Sequence, residues 1–278
     1  MRAILFFCLF FNFFCGLINA QSIKIVSLAP SITEVVFALG LGNELIGVTT
    51  FSNYPYKART LPKIGTYTHL NLEKIIQLDP DIIIGTYDGN REYDINILRK
   101  LGFYVYMTNP RNIKDTLNMI YHVAVVLGVP NKGKILKYQL ENRIIKVINK
   151  VKFLKKVKVF FQINSKPIIS VNKNTFQNDL IRLAGGINIT ENEPIRYPRI
   201  SIEEVIYKKP EVIIISSMQK GGIFEKMRDE WLQWKSIPAV KNHRIYLVNS
   251  DIVDRASPRL VKGLEVIAHL LHPEVNWR

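Results

Sequence analysis

Two tyrosines and two glutamates occupy equivalent places in a segment that the chain contains twice. Tyr67 and Glu73 recur, at a constant interval of 130 residues, as Tyr197 and Glu203. A phenol ring stacks on flat apolar groups, and a phenolate oxygen is a hard ligand for ferric iron. The duplication therefore predicts two similar lobes, with a tyrosine and a glutamate on each, that clamp a ligand between them.

The repeated segment has the pattern of a helix followed by a buried strand. Asn71 and Ser201 are good N-cap residues, and the apolar residues that follow each recur at i, i+3 and i+4. Pro80 and Pro210 end the two helices, and the Ile/Val runs after them predict central parallel strands. Helix and strand patterns also alternate in the rest of the chain, which is typical of an α/β fold.

The predicted organisation is two α/β lobes joined by one long helix. The N-terminal lobe covers residues 23–130, and the C-terminal lobe covers residues 157–273. The connecting helix, over residues 131–153, has no glycine or proline after Gly133, so a rigid connection is expected. Two helix starts are also predicted: Ser31 and Glu34 form a capping box, and Pro258 begins the last helix.

Residues 1–20 have the pattern of a cleavable secretory signal peptide. The apolar run from Ile4 to Phe14 is too short for a membrane-spanning helix, and a small residue stands at the expected cleavage site. Both cysteines, Cys8 and Cys15, lie in this segment, so the mature protein is expected to have no disulfide. Lipid attachment at Cys15 is the less favoured alternative, because a bulky phenylalanine precedes it. We predict a soluble periplasmic protein, and export excludes nucleic acid as its partner despite the net charge of +15.

No motif in the sequence is typical of an enzyme. A phosphate-binding glycine loop, a Gly-x-Ser-x-Gly elbow and a His-Glu-x-x-His helix are all missing from the sequence. The histidines also lack the spacing of a metal site. His69, two residues after Tyr67 in the same predicted loop, is the one weak candidate for a metal ligand. The residues therefore predict a binding protein without a resident cofactor.

Several segments together resemble the substrate-binding proteins of the iron-siderophore/cobalamin ABC-importer family, above all its cobalamin-binding members. The resemblance extends over nearly the whole mature chain, residues 23–273. The segments that carry it are residues 25–34, 47–55, 71–84, 185–189 and 251–259. It implies a class III periplasmic binding protein, also called a helical backbone metal receptor. In that fold two Rossmann-like lobes meet at a shallow cleft, and one backbone helix limits their closure.

The resemblance also implies roles for individual residues. In the cobalamin-binding members, aromatic side chains of both lobes contact the corrin ring, and polar residues lie near the cleft. The ligand-binding residues implied here are Phe51, Tyr67, Tyr87, Tyr197, Asp251 and Arg255. The family's glutamates at the top of each lobe bind arginines of the inner-membrane permease dimer, which works with an ATPase. Glu73 and Glu203 match those glutamates. The expected protein is monomeric and delivers a small metal-chelate ligand to that permease.

The sequence leaves the ligand open. Close cobalamin-binding relatives carry tryptophans where Tyr67 and Tyr197 stand, and the loop around Tyr87 is altered. Cobalamin or another corrinoid is the preferred ligand, and a ferric siderophore or haem is the alternative within the same role. A periplasmic enzyme that processes tetrapyrroles or metals is the alternative of a different class, and it lacks a visible nucleophile–base pair or metal triad.

Overall fold

The computed structural model describes residues 22–217 and 223–277. The predicted signal peptide, with Cys8 and Cys15, lies outside the described residues. In the part of the chain that is described, no helix has the length and apolar character needed to cross a membrane.

The first half of the chain forms a parallel four-stranded sheet covered by helices. Its strands are β1 (Ile25–Ser27), β2 (Leu45–Val48), β3 (Ile82–Thr86) and β4 (Val105–Thr108), in the order β2-β1-β3-β4. Its helices are α1 (Pro30–Ala38), α2 (Leu72–Leu78), α3 (Glu92–Lys100) and α4 (Ile113–Val126). β3 is buried over its whole length, as its run of isoleucines predicts for a central strand.

One long helix, α5 (Pro130–Val151), follows the first lobe. It has 22 residues, so it is about 33 Å long at 1.5 Å per residue. Its buried face, which includes Leu140, Ile144 and Val147, packs against α4 and against the last helix of the chain. One apolar core runs through this face from the first sheet to the second. α5 thus contributes side chains to a core that both lobes share, and its rigidity stays a prediction.

The second half repeats the arrangement of the first. Its sheet contains β5 (Val157–Gln162), β8 (Gly186–Asn188), β9 (Val212–Ser217) and β10 (Ile245–Asn249), all parallel, in the order β10-β9-β5-β8. A short hairpin, β6 (Asn164–Ser165) and β7 (Ile168–Ile169), follows β5. The helices are α6 (Phe176–Leu183), α7 (Ile202–Lys208), α8 (Ile223–Leu232), α9 (Pro238–Lys241), α10 (Ser250–Val253) and α11 (Leu260–Leu271).

The two repeated segments have the same structure down to their caps. α2 and α7 each have seven residues, and the side chains of Asn71 and Ser201 accept a hydrogen bond from the third residue of the following helix. Each helix ends at a residue in the left-handed conformation, Asp79 with φ 46° and Lys209 with φ 50°. The duplicated sequence therefore builds a duplicated helix–strand unit in each lobe.

Two predicted helix starts are wrong. α1 begins at Pro30 with Ala29 as N-cap, and Ser31 lies inside the helix, so no capping box forms. The Glu34 carboxylate instead accepts hydrogen bonds from Ser257 and Arg259 of the other lobe. The last helix begins at Leu260 with Arg259 as N-cap, after Pro258. In both places the local sequence would favour a cap, but side chains near the cap are held by contacts between the lobes.

Candidate functional site

Loops at the carboxyl ends of the parallel strands carry the predicted ligand-binding residues, which is where α/β proteins bind ligands. Phe51 follows β2, and Tyr87 follows β3. Tyr67 lies in the segment between β2 and α2, and Tyr197 lies between β8 and α7. Asp251 and Arg255 follow β10. The topology therefore brings all six residues to the same edges of the two sheets.

Tyr67 is held by the loop that follows β3. Its hydroxyl donates a hydrogen bond to the Asp88 carbonyl oxygen at 2.6 Å. The amide of Asn90 donates to the carbonyl oxygens of Tyr67, at 2.8 Å, and of Leu28, at 2.9 Å. Gly89 has φ +139°, and a Cβ at this position would lie 2.1 Å from the Tyr67 ring. A glycine is thus required here, both for its backbone conformation and for the close approach of the ring.

Tyr197 is fixed by backbone pairing of its segment with the strand β7 and the residues after it. Asn172 and Ser170 donate their backbone N–H groups to the carbonyl oxygens of Arg196 and Pro198, each at 3.0 Å. The pairing leaves the Tyr197 side chain partly exposed. The Tyr67 hydroxyl bonds to Asp88, and Arg196, the residue before Tyr197, lies 3.7 Å from the same aspartate, so the segments that carry the two tyrosines approach each other although they belong to different lobes.

Both phenols are neutral in the absence of a ligand. Burial raises the pKa of Tyr67 and of Tyr197, and the Asp88 carboxylate raises each of them further. Two neutral rings that meet from opposite lobes are suited to contact with the faces of a flat ligand. A role as phenolate ligands for iron would require loss of the proton that Tyr67 donates to the Asp88 carbonyl oxygen.

Phe51 and Tyr87 add exposed aromatic surface beside this pair. Their exposed fractions are 53% and 52%, so both present ring surface to solvent. The backbone N–H of Thr50 donates to the Gly65 carbonyl oxygen at 2.8 Å, so Phe51 lies beside the segment that carries Tyr67. Tyr87 directly precedes Asp88, whose carbonyl oxygen accepts from Tyr67. Phe51, Tyr67, Tyr87 and Tyr197, here called the aromatic patch, thus lie in segments that follow strands of both lobes.

Asp251 and Arg255 lie in a charged network that joins the lobes. The Arg255 guanidinium donates to Glu34 Oε1 at 3.0 Å, to Asn53 Oδ1 at 2.8 Å and to the Phe51 carbonyl oxygen at 3.3 Å. It also pairs with Asp251 at 2.7 Å, and the Asn53 amide donates to Asp251 at 3.2 Å. The network therefore fixes the loop that presents Phe51, whichever ligand that loop contacts.

Glu34 is the centre of this network, whereas sequence analysis assigned it only to a capping box. Its side chain is only 2% exposed, and it accepts from Ser257 Oγ at 2.6 Å and from Arg259 Nε at 2.9 Å in addition to Arg255. The Arg259 guanidinium also lies over the Tyr54 ring, 4.0 Å from its centroid. A buried glutamate facing three polar residues of the other lobe leaves no local pattern in the sequence.

A second charged cluster lies next to the tyrosines. The Asp88 carboxylate is 4.0 Å from Arg111 Nη1 of its own lobe and 3.7 Å from Arg196 Nη1 of the other lobe. Arg111 precedes α4, and Arg196 directly precedes Tyr197. Sequence analysis did not identify these three residues. The position of Arg196 beside a predicted cleft tyrosine was the signal that could have found it.

His69, Glu73 and Glu203 are the remaining predicted residues. His69 is exposed, and its ring nitrogens lie 3.0 Å from Thr68 Oγ1 and 2.7 Å from Arg91 Nη2. In residues 22–217 and 223–277, no group of three or more His, Cys, Asp or Glu side chains is placed to hold a metal ion. Glu73 and Glu203 are exposed in the first turns of α2 and α7, so they lie at equivalent places on the two lobes.

Large grooves are also present away from the tyrosines. Two grooves of about 870 and 920 Å³ run along α5 and α11 and are lined by residues such as Arg143, Lys146 and Lys262. Neither is lined by any of the six predicted ligand-binding residues. The candidate site is therefore defined by its aromatic and charged side chains rather than by these two grooves.

Comparison with known proteins gives consistent matches over most of the chain. A family model described as periplasmic binding protein matches residues 25–252. A vitamin B12-binding protein of Vibrio parahaemolyticus is 33% identical over 250 residues, which is 88% of each chain. The crystal structure of the periplasmic vitamin B12 binding protein BtuF of Vibrio cholerae superposes with a TM-score of 0.80 at 29% identity, covering 90% of this chain and 96% of that one. The periplasmic heme-binding protein RhuT of Roseiflexus superposes with a TM-score of 0.82 at 27% identity, covering 91% and 98%.

Proposed function

Because the chain belongs to the periplasmic binding protein family, we propose that it captures a corrinoid, cobalamin or a close analogue, between its lobes and delivers it to an ABC importer. The observation that carries this proposal is the aromatic patch of Phe51, Tyr67, Tyr87 and Tyr197, formed by both lobes. A corrin ring has apolar faces bordered by amides, so it suits aromatic walls with few polar contacts. The name of the Vibrio parahaemolyticus relative, at 33% identity, supports the same ligand.

Haem or a ferric siderophore is the second candidate ligand for the same role. Two observations favour it: the similarity to a heme-binding protein, and the two phenols that meet between the lobes. A phenol oxygen can become a hard-oxygen ligand for ferric iron, whereas a corrinoid needs only the ring surface. The two ligands therefore differ in what they require of the tyrosine hydroxyls.

The test is a titration of the purified mature protein with cyanocobalamin, dicyanocobinamide, haemin and a ferric siderophore, followed by intrinsic fluorescence and calorimetry. We expect corrinoids to bind, and Tyr67→Ala and Tyr197→Ala to weaken them at least about tenfold, which is about 1.4 kcal/mol. Tyr138→Ala is the control, because Tyr138 is an exposed tyrosine on α5. Failure of both corrinoids at micromolar concentration, with binding of a ferric ligand, would refute the preferred ligand.

Phenylalanine variants separate stacking from iron ligation. Tyr67→Phe and Tyr197→Phe keep the aromatic rings but remove the hydroxyls. If a corrinoid is the ligand, both variants should bind nearly as well as the wild type. If haemin binds through a phenolate, one of them should lose affinity and the phenolate-to-iron absorption band. The absorption spectrum of the haemin complex thus decides between the two candidates.

Glu73 and Glu203 are proposed as the permease contacts. Each is exposed at the same place of its lobe, so a permease dimer with two equivalent basic sites fits them. Glu73→Ala and Glu203→Ala should leave ligand binding unchanged and impair uptake and stimulation of the transporter's ATPase. Glu92→Ala is the matched control, because Glu92 is an exposed first-turn glutamate on α3. Loss of ligand binding in either lobe variant would contradict the docking role.

Export to the periplasm completes the proposal. Residues 1–20 are expected to be removed as a signal peptide, leaving a monomer without cysteine, and lipid attachment at Cys15 is the less favoured alternative. Cell fractionation and intact mass of the mature protein test this. A mass that includes a diacylglyceryl group would establish the lipoprotein form instead.

A further inference from the structure

Two guanidinium groups, one from each lobe, approach the Asp88 carboxylate without forming hydrogen bonds to it. The distances from Asp88 Oδ1 are 4.0 Å to Arg111 Nη1 and 3.7 Å to Arg196 Nη1. Both are longer than the 2.7–3.2 Å typical of a hydrogen bond. Asp88 therefore compensates part of the positive charge, but it does not satisfy the N–H donors.

Each arginine has a buried N–H donor without a hydrogen-bond partner in the described residues. Arg111 Nη1 and Arg196 Nε are shielded from solvent and have no hydrogen-bond partner in the described part of the chain, whereas the two side chains as a whole are 34% and 31% exposed, so a ligand would reach the exposed part of each side chain rather than these two atoms. Buried polar atoms are nearly always satisfied in folded proteins, so an unsatisfied pair at one place requires an explanation. The cluster of two cations and one anion also keeps a net positive charge.

The position of the cluster connects it to the ligand. Arg196 directly precedes Tyr197, and the Asp88 carbonyl oxygen accepts from the Tyr67 hydroxyl. The Asp88 carboxylate raises the pKa of both tyrosines, and Arg196 acts on the pKa of Tyr197 in the opposite direction. A molecule lying against both phenols would therefore have its edge next to the two guanidinium groups.

We infer that Arg111 and Arg196 form a subsite for an anionic substituent of the bound ligand, a carboxylate or a phosphodiester. The planar guanidinium donors match either group, and the subsite takes one arginine from each lobe. Asp88 occupies the space between the arginines in this structure and competes with the incoming anion. This inference rests on the proposed function, because it adds charge recognition to the same cleft.

Two ligand pairs distinguish the sources of the anion. Cyanocobalamin carries a phosphodiester that dicyanocobinamide lacks, and haemin carries carboxylates that haemin dimethyl ester lacks. Affinities of wild type, Arg111→Gln and Arg196→Gln are measured for all four ligands by calorimetry. We expect the two variants to bind the anionic member of the cognate pair at least about tenfold more weakly, and its neutral member within about twofold of the wild type. Arg228→Gln is the control, because Arg228 pairs only with Asp229 on the surface of α8 among its described contacts.

Two further variants protect the test from loss of folding. Asp88→Asn removes the competing charge but keeps the carbonyl oxygen that Tyr67 uses, so it should tighten the anionic ligand and not the neutral one. Arg196→Lys keeps the charge and should recover part of the lost affinity. The subsite is refuted if the glutamine variants bind the anionic ligand as tightly as the wild type does. It is also refuted if they bind both members of a pair equally more weakly. In either case the proposed function still stands. If wild-type protein binds none of the four ligands, the proposed function fails and the subsite fails with it.

Discussion

Replacement of Glu34 by alanine tests whether one buried carboxylate holds the lobes together. Glu34 belongs to α1, and its partners Arg255, Ser257 and Arg259 all belong to the other lobe. The arginine side chains are 12% and 19% exposed, so in the variant they would keep their charge with little access to water.

The expected loss of stability follows from the buried charges. Removal of one member of a buried ion pair typically costs about 3–5 kcal/mol, because the partner is left without compensation. Asp251 remains 2.7 Å from Arg255 but 3.8 Å from Arg259, so it compensates only part of the charge. The expected destabilisation is therefore about 3 kcal/mol, equivalent to a decrease in Tm of roughly 6 °C for a protein of this size.

The assay is thermal and urea-induced unfolding, followed by circular dichroism. Glu141→Ala is the matched control, because among the described residues Glu141 forms only a partly exposed i,i+4 pair with Lys137, and the variant should lose less than about 0.5 kcal/mol. A double-mutant cycle of Glu34→Gln with Arg259→Gln should be strongly non-additive, since each single change leaves the other charge buried. A loss below about 1 kcal/mol in Glu34→Ala, or an additive cycle, would refute the reasoning.

Two further predictions concern Asp254 and Gly89. Burial raises the pKa of Asp254 to about 6, despite opposing hydrogen bonds from Ser216 and Gln177, so folding favours its protonated form. The contribution of Asp254 to stability is full below its unfolded pKa of about 4 and declines by about 3 kcal/mol as pH rises through about 6. The difference in unfolding free energy between the wild type and Asp254→Asn should show this decline. A difference that does not change between pH 4 and pH 7 would contradict the prediction. Gly89→Ala should lower both Tm and ligand affinity, because the new Cβ would collide with the Tyr67 ring. Gly102→Ala is the control for calorimetry and unfolding, because Gly102 also has positive φ (+91°) but open space at its Cβ; equal effects of the two would exclude the collision.

Local sequence patterns predicted the fold well because their causes are local. The N-caps at Asn71 and Ser201, the prolines after α2 and α7 and the isoleucine runs in β3 and β9 each act within a few residues. The long helix α5 was predicted within two residues of its bounds for the same reason. The two wrong helix starts, at Ser31 and Pro258, lie where contacts between lobes involve side chains near the cap.

In the candidate site, too, some residues could be predicted from local sequence patterns and others could not. The tyrosines and glutamates could be selected because the duplication marks them, and the structure brings Asp88 against both the Tyr67 hydroxyl and the Arg196 side chain that precedes Tyr197. The residues that hold the lobes together, chiefly Glu34, and the arginines near Asp88 carry no such mark. Their partners are far away in the sequence, and a single carboxylate or guanidinium fits many environments.

By itself, the sequence determined the duplicated helix–strand unit, the long helix α5 and the tyrosine and glutamate that each copy carries. Periodicity, capping and duplication are sufficient for that, because they depend on neighbours along the chain. Only the tertiary structure decided which charges meet: Glu34 with Arg255 and Arg259, and Asp88 with Arg111 and Arg196. The physical reason is that ion pairing depends on distances of a few ångströms and on burial, and both arise only when distant segments pack together.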